Sequence, residues 1–558
     1  MPVDAADDGV AGSHDRSIER RRGSTARVGD QDHPRIMIRQ RLRDFIGSIG
    51  RGSQGQNYLD WTRILLRQYR LDCAIQVALF IQNWQHNGDS RGLACGNLLG
   101  IYVDLTHPAL TVPFRSVTIV SMSLKISVIG TGYLGATHAA CMSSLGFEVI
   151  GVDVDPAKIQ SLSSGTIPFY EPGLEELLQN ELKSGRLSFS SDFNAIRDCD
   201  VHFICVGTPQ VKDGLAADLT YVFSALAMIA PIIKDGSLIV GKSTVPVGTA
   251  AKMRAELLTI NPNTELAWNP EFLREGFAVS DTLKPNRLVV GVVTEKSEEI
   301  LREVYAKSLA EDTPWVVADL PTAELVKVAA NSFLATKISF INAMAEICEA
   351  AGGDVTVLAK AIGYDPRIGS RFLQAGIGFG GGCLPKDIRA FMARSQELGA
   401  EQALEFLREI DFINVRARTR VIDLVRKDLS ADLTGKKIAV LGAAFKPDSD
   451  DVRDSPALDI AVQIQGAGAQ VTVHDPKAIE NARQRFPNLG FKESIEECVQ
   501  GADLVLHLTE WKIYREIDPT ELIKHVANPV IIDGRNALDR ELWLAAGWKF
   551  RALGRSNN

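Results

Sequence analysis

Short apolar runs alternate with stretches of helical periodicity from Leu124 onward. The first run, residues 125–130, predicts a buried strand, and a glycine turn joins it to an Ala- and Met-rich helix that continues to Leu145. Three later runs have the same strand-like character and are separated by helical segments: 147–153, 201–206 and 238–241. Strands that alternate with helices predict a parallel sheet with crossover helices, the pattern of a doubly wound α/β domain.

A second strand–turn–helix series follows a helical middle region. It opens with residues 436–442, and three further strand-like runs continue it: 471–475, 504–508 and 530–533. Residues 322–351 form a long helical segment before it, which Pro321 and Thr322 start and the glycines at 352 and 353 stop. At about 1.5 Å per residue this helix is about 45 Å long, enough to bridge two domains. The predicted fold class is therefore α/β, with two Rossmann-like doubly wound parallel-sheet domains joined by a long central helix and a helical middle domain.

The predicted domain organisation has four parts. In chain order they are an N-terminal extension, a first sheet domain, a central helical domain with a cysteine loop and a second sheet domain: 1–121, 122–320, 321–430 and 431–558. The extension is polar and Arg-rich at its start and irregular afterwards, without a secretory pattern. A solvated disordered arm, an interaction tail and a translation start at Met122, which would make the extension non-native, all fit it. We expect its deletion to be tolerated, because the first strand starts only at Leu124.

Composition narrows the functional classes. With 45% hydrophobic and 23% charged residues, and no long uninterrupted apolar run, the 558-residue chain is predicted to be a soluble protein without a membrane partner. Its net charge of -8 gives no overall basic surface for a nucleic acid. Eight scattered cysteines without paired CxxC spacing favour reduced thiols in the cytoplasm, and nine unclustered histidines argue against a metal.

A nucleotide fingerprint lies at the first glycine turn. It has GxGxxG spacing between a strand and a helix, from three glycines: Gly130, Gly132 and Gly135. Asp153 closes the next strand, where a carboxylate accepts hydrogen bonds from a ribose, and this favours NAD over NADP. The alternatives are a glycine turn that serves packing only, and Asp155 in place of Asp153, although Asp155 next to Pro156 is more typical of a helix cap. The equivalent turn of the second unit, 442–446, lacks two of the glycines and predicts a different ligand.

One cysteine stands in a glycine-rich bend. Residues 378–387 place Cys383 after four glycines and beside Lys386 and Asp387. A neighbouring cation favours the thiolate, which is the attacking form of cysteine, so the segment indicates covalent redox chemistry. The alternative is an inert structural thiol.

Several ordered motifs resemble those of the UDP-glucose/GDP-mannose dehydrogenase family. The resemblance covers about residues 122–552, and one departure is Gly382, where many members have serine. Besides the cysteine segment, the motifs occur in family order: 170–174, 206–209, 242–247, 269–276, 327–331, 445–446, 509–511 and 533–535.

The resemblance implies an NAD-dependent four-electron oxidation. In this family a sugar C6 alcohol becomes a carboxylate through a cysteine-bound thiohemiacetal and thioester, with two NAD used in succession. The segment that begins at Arg367 favours UDP-glucose, giving UDP-glucuronate, over GDP-mannose. GDP-mannose or a UDP-N-acetylhexosamine as substrate, a single-step alcohol dehydrogenase and an inactive nucleotide-binding scaffold remain alternatives.

The resemblance also assigns catalytic residues. Cys383 is the nucleophile, Lys327 and Asn331 stabilise oxyanions from one helix face, and Glu271 is a general acid/base whose pKa should lie nearer neutrality. Asp387 and Thr244 position a water, with capping or turn roles as the alternative. Either Lys327 or that water takes the alcohol proton.

Binding residues follow from the same resemblance. The NAD contacts, besides the glycine turn and Asp153, are Lys158, Thr208, Thr244, Glu275, Lys386 and Arg453. The sugar-nucleotide contacts are Glu271, Phe272, Leu273, Arg274, Lys327, Asn331, Phe372, Leu373, Gln374, Ala375, Gly376, Gly380, Lys446 and Arg535. Arg367 resembles an arginine that enters the site of a neighbouring subunit, which implies at least a homodimer. For each cation an ordinary solvated charge is the alternative.

Overall fold

The computed structural model of the protein describes residues 124–555. The predicted extension, residues 1–121, lies outside the described residues. Among residues 124–555, no helix combines the length and the apolar composition that a membrane crossing requires.

An eight-stranded sheet forms the first part of the described chain. Its strands are β1 (Lys125–Ile129), β2 (Glu148–Val152), β3 (Leu187–Ser190), β4 (Val201–Ile204), β5 (Leu238–Gly241), β6 (Glu265–Trp268), β7 (Leu288–Gly291) and β8 (Trp315–Ala318). Their order is β3-β2-β1-β4-β5-β6-β7-β8, and all neighbours are parallel except β6 and β7. Two apolar cores cover the faces of this sheet, one containing Val128 and the other containing Ile129 of the same strand. A strand buried on both faces reads as a continuous apolar run, and therefore β1 could be predicted.

Eight helices accompany this sheet. They are α1 (Tyr133–Ser144), α2 (Pro156–Ser163), α3 (Leu174–Ser184), α4 (Thr220–Ile229), α5 (Thr249–Ile260), α6 (Ala278–Leu283), α7 (Glu295–Val304) and α8 (Ala306–Ala310), with a 3₁₀ turn at Phe193–Ile196.

Four helices form the middle of the chain. They are α9 (Leu320–Ala351), α10 (Val355–Gly363), α11 (Leu384–Glu397) and α12 (Glu405–Asp428), with a 3₁₀ turn at Glu401–Leu404. Helix α9 is the predicted central helix and begins two residues earlier than predicted, because the side chain of Asp319 caps it by accepting from the amide of Thr322. It ends at Gly352, which adopts a left-handed conformation with φ of 77°.

A six-stranded sheet completes the fold. Its strands are β9 (Lys437–Leu441), β10 (Gln470–His474), β11 (Gly490–Phe491), β12 (Leu504–His507), β13 (Val530–Asp533) and β14 (Lys549–Ala552). Their order is β11-β10-β9-β12-β13-β14, with every neighbour parallel, which is the Rossmann order. The accompanying helices are α13 (Pro456–Gly466), α14 (Ile479–Arg485), α15 (Ile495–Val499), α16 (Lys512–Arg515), α17 (Pro519–Leu522) and α18 (Arg540–Ala545), with a 3₁₀ turn at Ile523–His525. Two sheets of this kind around a helical middle confirm the predicted fold class.

Candidate active site

The glycine turn after β1 has the geometry of a nucleotide loop. Gly130 has a φ of +85°, which side-chain-bearing residues rarely adopt. A Cβ on Gly135 would lie 1.8 Å from the carbonyl oxygen of Gly130, so the helix can approach the strand only with glycine there. A Cβ on Gly132 would meet no atom within 4 Å, and no side chain caps the N-terminus of α1. The uncapped amides at the start of α1 are therefore free to bind a phosphate.

Asp153 lies beside this turn at the end of β2. Its Oδ2 accepts from the amide of Thr131 at 2.7 Å and from Nζ of Lys158 at 3.0 Å, and the residue is 7% exposed. Burial opposes ionisation, but these donors outweigh it and hold the pKa of Asp153 below its usual value. Asp155 accepts from the amides of Ala157 and Lys158 as the cap of α2, which confirms its interpretation as a cap.

Cys383 occupies the N-cap position of α11 at the end of the glycine-rich loop, and its side chain is exposed. The loop is held from behind by Asn414 of α12, whose side chain accepts from the amide of Phe379 at 2.7 Å and donates to its carbonyl at 3.0 Å. Gly378 has a φ of +87°, and a Cβ there would lie 2.3 Å from Oδ1 of Asn414. The loop conformation therefore requires glycine at this position.

The protonation state of Cys383 differs from the prediction, in which Lys386 favours the thiolate. The pKa of Cys383 is raised, first because the surrounding protein displaces water from around the sulfur, and then by the carboxylates of Asp387 and Glu275. Lys327 and Lys386 oppose this shift without reversing it. Without ligands the sulfur is therefore a thiol at neutral pH.

Four predicted side chains come together one turn into α11. Asp387 is 2% exposed and accepts from Nδ2 of Asn331 at 2.7 Å and from Nζ of Lys386 at 2.6 Å. Lys327 projects from the same face of α9 as Asn331 and lies with Nζ 5.6 Å from the ring centre of Phe272. Lys327 and Asn331 thus supply donors near Cys383 of the kind that stabilise an oxyanion, and the Asp387 carboxylate orients the Asn331 amide.

Thr208 and Thr244 connect this cluster to the first sheet. Oγ1 of Thr208 donates to the carbonyl of Thr244 at 2.8 Å, and Nζ of Lys386 lies 3.4 Å from the same hydroxyl. Both threonines, with Lys386 and Asp387, line an open cleft of about 370 Å³. These four predicted cofactor and catalytic residues therefore meet at one cleft.

Glu271 differs from its predicted acid/base character. Its Oε2 lies 3.2 Å from Nζ of Lys242, and its Oε1 accepts from the amides of Phe272 at 2.5 Å and Leu273 at 2.7 Å. Burial opposes ionisation, but Lys242, the backbone amides and Lys327 outweigh it, so the pKa of Glu271 lies below its usual value. The expectation of a pKa nearer neutrality is wrong for the unliganded protein, in which Glu271 is a carboxylate.

Glu275, Lys446 and Arg453 form a separate charged group. Nζ of Lys446 donates to the carbonyl of Glu275 at 2.7 Å, and burial lowers the pKa of Lys446. The guanidinium of Arg453 pairs with Asp451 at 2.7 Å and with Glu275 at 3.4 Å. A Cβ on Gly382 would lie 2.3 Å from Cζ of Arg453, so the missing side chain leaves room for this guanidinium beside the cysteine loop.

Arg535 ties the second sheet to the cysteine loop. Its guanidinium donates to the carbonyls of Leu508 at 2.7 Å, Phe445 at 3.0 Å and Gly378 at 3.2 Å, and it lies 3.3 Å from Oε2 of Glu510. Three of its five N–H groups are thus used by carbonyls, and two remain for a ligand.

The predicted segment 372–376 approaches the same sheet. Phe372 has a φ of +63°, Gln374 is exposed, and Leu373 and Ala375 are each 4% exposed. A Cβ on Gly376 would lie 2.8 Å from the carbonyl of Gly534, and one on Gly380 would lie 2.2 Å from the carbonyl of Asp454. Glycine at both positions lets the segment lie against the second domain.

Two predicted arginines are engaged away from this cluster. Arg274 pairs with Asp281 at 2.7 Å. Arg367 pairs with Asp365 at 2.6 Å, and its side chain is 88% exposed. Arg367 thus projects into solvent from this chain.

Sequence reasoning missed the residues that orient Glu271. Nζ of Lys242 donates to Oδ1 of Asn269 at 3.0 Å, and the hydroxyl of Tyr305 donates to the same oxygen at 2.5 Å. Glu171 accepts from the amides of Gly276 and Ala278, each at 2.7 Å, and so holds the segment that follows Glu271. Lys242, Asn269 and Glu171 all stand in the motifs used for the resemblance, but a motif alone does not reveal which side chain pairs with which.

Comparison with known proteins decides the family. The NAD binding domain of the UDP-glucose/GDP-mannose dehydrogenase family matches residues 124–309, its central domain 321–416 and its UDP binding domain 439–540. The chain belongs to the UDP-glucose/GDP-mannose dehydrogenase family. UDP-glucose 6-dehydrogenase of Rhizobium meliloti is 38% identical over 437 residues, 77% of this chain and 100% of the relative.

Solved structures extend the comparison. A UDP-glucose dehydrogenase from Pyrobaculum islandicum superimposes with a TM-score of 0.71 and 36% identity, covering 78% of this chain and 98% of that one. A UDP-D-ManNAc dehydrogenase from Pyrococcus horikoshii gives a TM-score of 0.68 and 27% identity, covering 77% and 99%. In this dehydrogenase the open glycine turn, the uncapped amides of α1 and Asp153 fit an NAD, which is the cofactor.

Proposed function

We propose that this dehydrogenase oxidises UDP-glucose to UDP-glucuronate in two successive two-electron steps at Cys383. The observation that carries the proposal is the position of this thiol, at the N-terminus of α11 beside Lys327 and Asp387. The cysteine loop also contacts the second sheet domain, since the amide of Gly381 donates to the carbonyl of Arg453 at 2.9 Å. A sugar nucleotide held on that domain would have its hexose directed towards the sulfur.

The first oxidation needs a hydride acceptor and a place for the alcohol proton. The glycine turn and Asp153 would hold an NAD, which would supply the hydride acceptor for C6. Lys327 and Asn331 stabilise the developing oxygen charge, because both project from one face of α9. Either Lys327 or a water positioned by Asp387 and Thr244 takes the proton.

Cys383 then retains the aldehyde. Its sulfur adds to C6 and gives a thiohemiacetal. Loss of the hydroxyl proton and of a second hydride, for which a second NAD would be the acceptor, leaves a thioester. Because the pKa of Cys383 is raised in the unliganded protein, its proton must leave as the site fills. The amide end of α11 favours the thiolate at that stage.

Hydrolysis of the thioester releases the acid. Water attacks C6 and one of its protons passes to Glu271; the C6–S bond breaks, Glu271 returns this proton to the leaving sulfur, which becomes the thiol, and the carboxylic acid product loses its own proton to solvent. Glu271 is ready to accept it, since Lys242 keeps the carboxylate ionised. This is a base role, and the later return of the proton provides the acid role.

The proposed nucleotide contacts come from all three domains. The NAD contacts are Lys158, Thr208, Thr244, Lys386 and the Glu275–Arg453 group. Lys446, Arg535 and the segment 372–376 contact the sugar nucleotide, with the remaining predicted residues 271–274 and Gly380. The functional domains run over residues 122–320, 321–430 and 431–558.

UDP-glucose is preferred over the other sugar nucleotides of the family. The Pyrobaculum UDP-glucose dehydrogenase is 36% identical to this chain, against 27% for the Pyrococcus UDP-D-ManNAc enzyme. A UDP-N-acetylhexosamine is therefore the second candidate substrate, and the same screen tests it.

The proposed assembly is a homodimer that pairs along α9. Phe333, Phe340 and Ile347 are spaced seven residues apart on this helix and are 67%, 47% and 61% exposed. Apolar side chains at this spacing form one stripe that a second copy would cover. In that assembly the exposed Arg367 enters the partner's substrate site.

The proposed compartment is the cytoplasm, and the product is a precursor for acidic polysaccharides. Six cysteines among residues 124–555 are free thiols: Cys141, Cys199, Cys205, Cys348, Cys383 and Cys498. Free thiols are consistent with a reducing compartment.

A substrate screen with NADH counting tests the activity. Purified protein is incubated with NAD and UDP-glucose, GDP-mannose or a UDP-N-acetylhexosamine, and NADH is counted per sugar consumed. We expect two NADH with UDP-glucose; one NADH would indicate a single-step alcohol dehydrogenase, and none with any sugar would indicate a scaffold. Cys383→Ala should abolish acid formation, whereas the control Cys348→Ala, at a buried thiol of α9, should retain it.

A further inference from the structure

A polar recess lies behind Glu271. It encloses about 500 Å³ open to solvent and is lined by residues of α1 and α6, by Lys242 after β5, by Tyr305 after α7 and by the segments around β6 and β7. Its mouth is at the exposed Asn286, and its floor is formed by buried groups that include His138, Lys242 and Tyr305. The recess shares no lining residue with the cleft that contains Lys386 and Asp387. It therefore approaches Glu271 by a different route.

Two buried polar side chains line this recess without a protein partner. Neither ring nitrogen of His138 has a hydrogen-bond partner among the described residues, nor has Oγ1 of Thr282. His138 is 1% exposed and Thr282 is 9% exposed. Burial, reinforced by the charge of Lys242, places the pKa of His138 well below its usual value, so the ring is neutral, with one donor and one acceptor nitrogen.

Water is the ligand that these groups fit. Buried polar groups in folded proteins are almost always hydrogen-bonded, and ordered water takes this role where the protein offers no partner. The ring donor and acceptor of His138 and the hydroxyl of Thr282 offer both kinds of contact. The recess is thus built to hold water beside the carboxylate of Glu271.

The thioester step needs water from this direction. Cofactor and sugar nucleotide bound beside Cys383 would close that side to bulk solvent during both oxidations. Glu271 and the next residue, Phe272, line the recess, and the Phe272 ring lies 5.6 Å from Nζ of Lys327. One helical turn after Lys327, Asn331 donates to Asp387, which lies four residues after Cys383. Glu271 therefore connects the recess with the catalytic cluster.

We propose that the recess behind Glu271 supplies the water that hydrolyses the thioester, and that His138 and Thr282 are positioning residues for this water. The inference rests on the proposed function. The oxygen of one recess water bonds to C6, the C6–S bond breaks, and Cys383 takes back the electron pair of that bond. One proton of that water passes to Glu271 and from there to the sulfur, which becomes the thiol, and the carboxylic acid product loses its own proton to solvent.

Thr282→Val and His138→Phe test the proposal, since both remove the polar atoms that hold the water and keep side chains of similar shape. Thr264→Val is the matched control, because Thr264 is 4% exposed and its hydroxyl is also unpartnered, but it does not line the recess. Each full-length variant is mixed with UDP-glucose and NAD and quenched during turnover. Intact-protein mass spectrometry measures the fraction acylated at Cys383, and thermal melting checks the fold.

We expect turnover of the two recess variants to fall about tenfold while a burst of two NADH per site remains and the acylated fraction rises. Hydroxylamine, which cleaves a thioester without a positioned water, should restore release in these variants. The control should match wild type. If both recess variants show the turnover and the acylated fraction of wild type, the inference is wrong, but the thioester route is unaffected. A different outcome would overturn both the proposed function and the inference. In that outcome no variant, including Glu271→Gln, shows acylation at Cys383, and acid is still produced.

Discussion

The substitution Lys242→Met breaks the buried ion pair that keeps Glu271 ionised. Lys242 is 4% exposed, and its Nζ lies 3.2 Å from Glu271 and 3.0 Å from Oδ1 of Asn269. Removal of one partner from a buried pair costs about 3–5 kcal/mol, because the other charge stays behind unpaired. The Glu271 side chain is 16% exposed and keeps two backbone donors, so we expect a loss near the lower end, about 3 kcal/mol.

The pH dependence gives the sign of this effect. In wild type the pKa of Glu271 lies below 4.5, so the carboxylate stabilises the folded state above that pH and the contribution is lost as pH falls through the folded value. Without Lys242 burial dominates, the pKa of Glu271 rises above 4.5, and the carboxylate destabilises the folded state at neutral pH. The difference in stability between wild type and variant should therefore be larger at pH 8 than at pH 5.

Urea unfolding followed by tryptophan fluorescence at both pH values measures this difference. The double variant Lys242→Met/Glu271→Gln is the control, since it removes the unpaired charge and should regain at least half of the lost stability. Wild-type stability of Lys242→Met at pH 8, or the same loss at both pH values, would refute the reasoning.

Three further predictions concern the thiol of Cys383, the buried carboxylate of Glu324 in α9 and the cysteine loop. Because the pKa of Cys383 is raised above 9.0, its alkylation by iodoacetamide in the free protein should have its midpoint above that pH, as read by mass spectrometry of the labelled peptide. Burial raises the pKa of Glu324 to about 7, so wild type should lose stability as pH rises from 4.5 through this value, and Glu324→Gln should flatten the melting temperature over that range. Gly382→Ser must displace the guanidinium of Arg453, and the KM for NAD should rise about threefold to tenfold while expression and melting temperature stay unchanged.

Much of the fold could be predicted because its elements are strongly patterned. Strands β5 and β13 have the predicted bounds, and the other predicted strands agree within two residues at each end. The antiparallel pairing of β6 with β7 was not predicted, because strand direction in a sheet depends on how the connecting chain returns. The predicted domain boundaries stay predictions.

The sequence predicted that certain side chains of the candidate site lie near one another, but it did not predict their protonation states. The helical spacing of Lys327 and Asn331 placed both on one face of α9, and the structure joins Asn331 to Asp387. The pKa directions of Cys383 and Glu271 could not be obtained from sequence, because they depend on burial and on partners far along the chain. Lys242, 29 residues before Glu271, is the decisive partner for that carboxylate.

Arg535 shows how sugar-nucleotide binding can influence the thiol without contact with the sulfur. Its guanidinium joins the carbonyl of Phe445, next to the proposed diphosphate contact Lys446, to the carbonyl of Gly378 in the cysteine loop. A diphosphate that engages the two remaining N–H groups would fix the guanidinium, and with it the loop that carries Cys383. The domain that binds the nucleotide therefore also sets the position of the nucleophile, which explains why an arginine is more suitable there than a lysine with a single charged nitrogen.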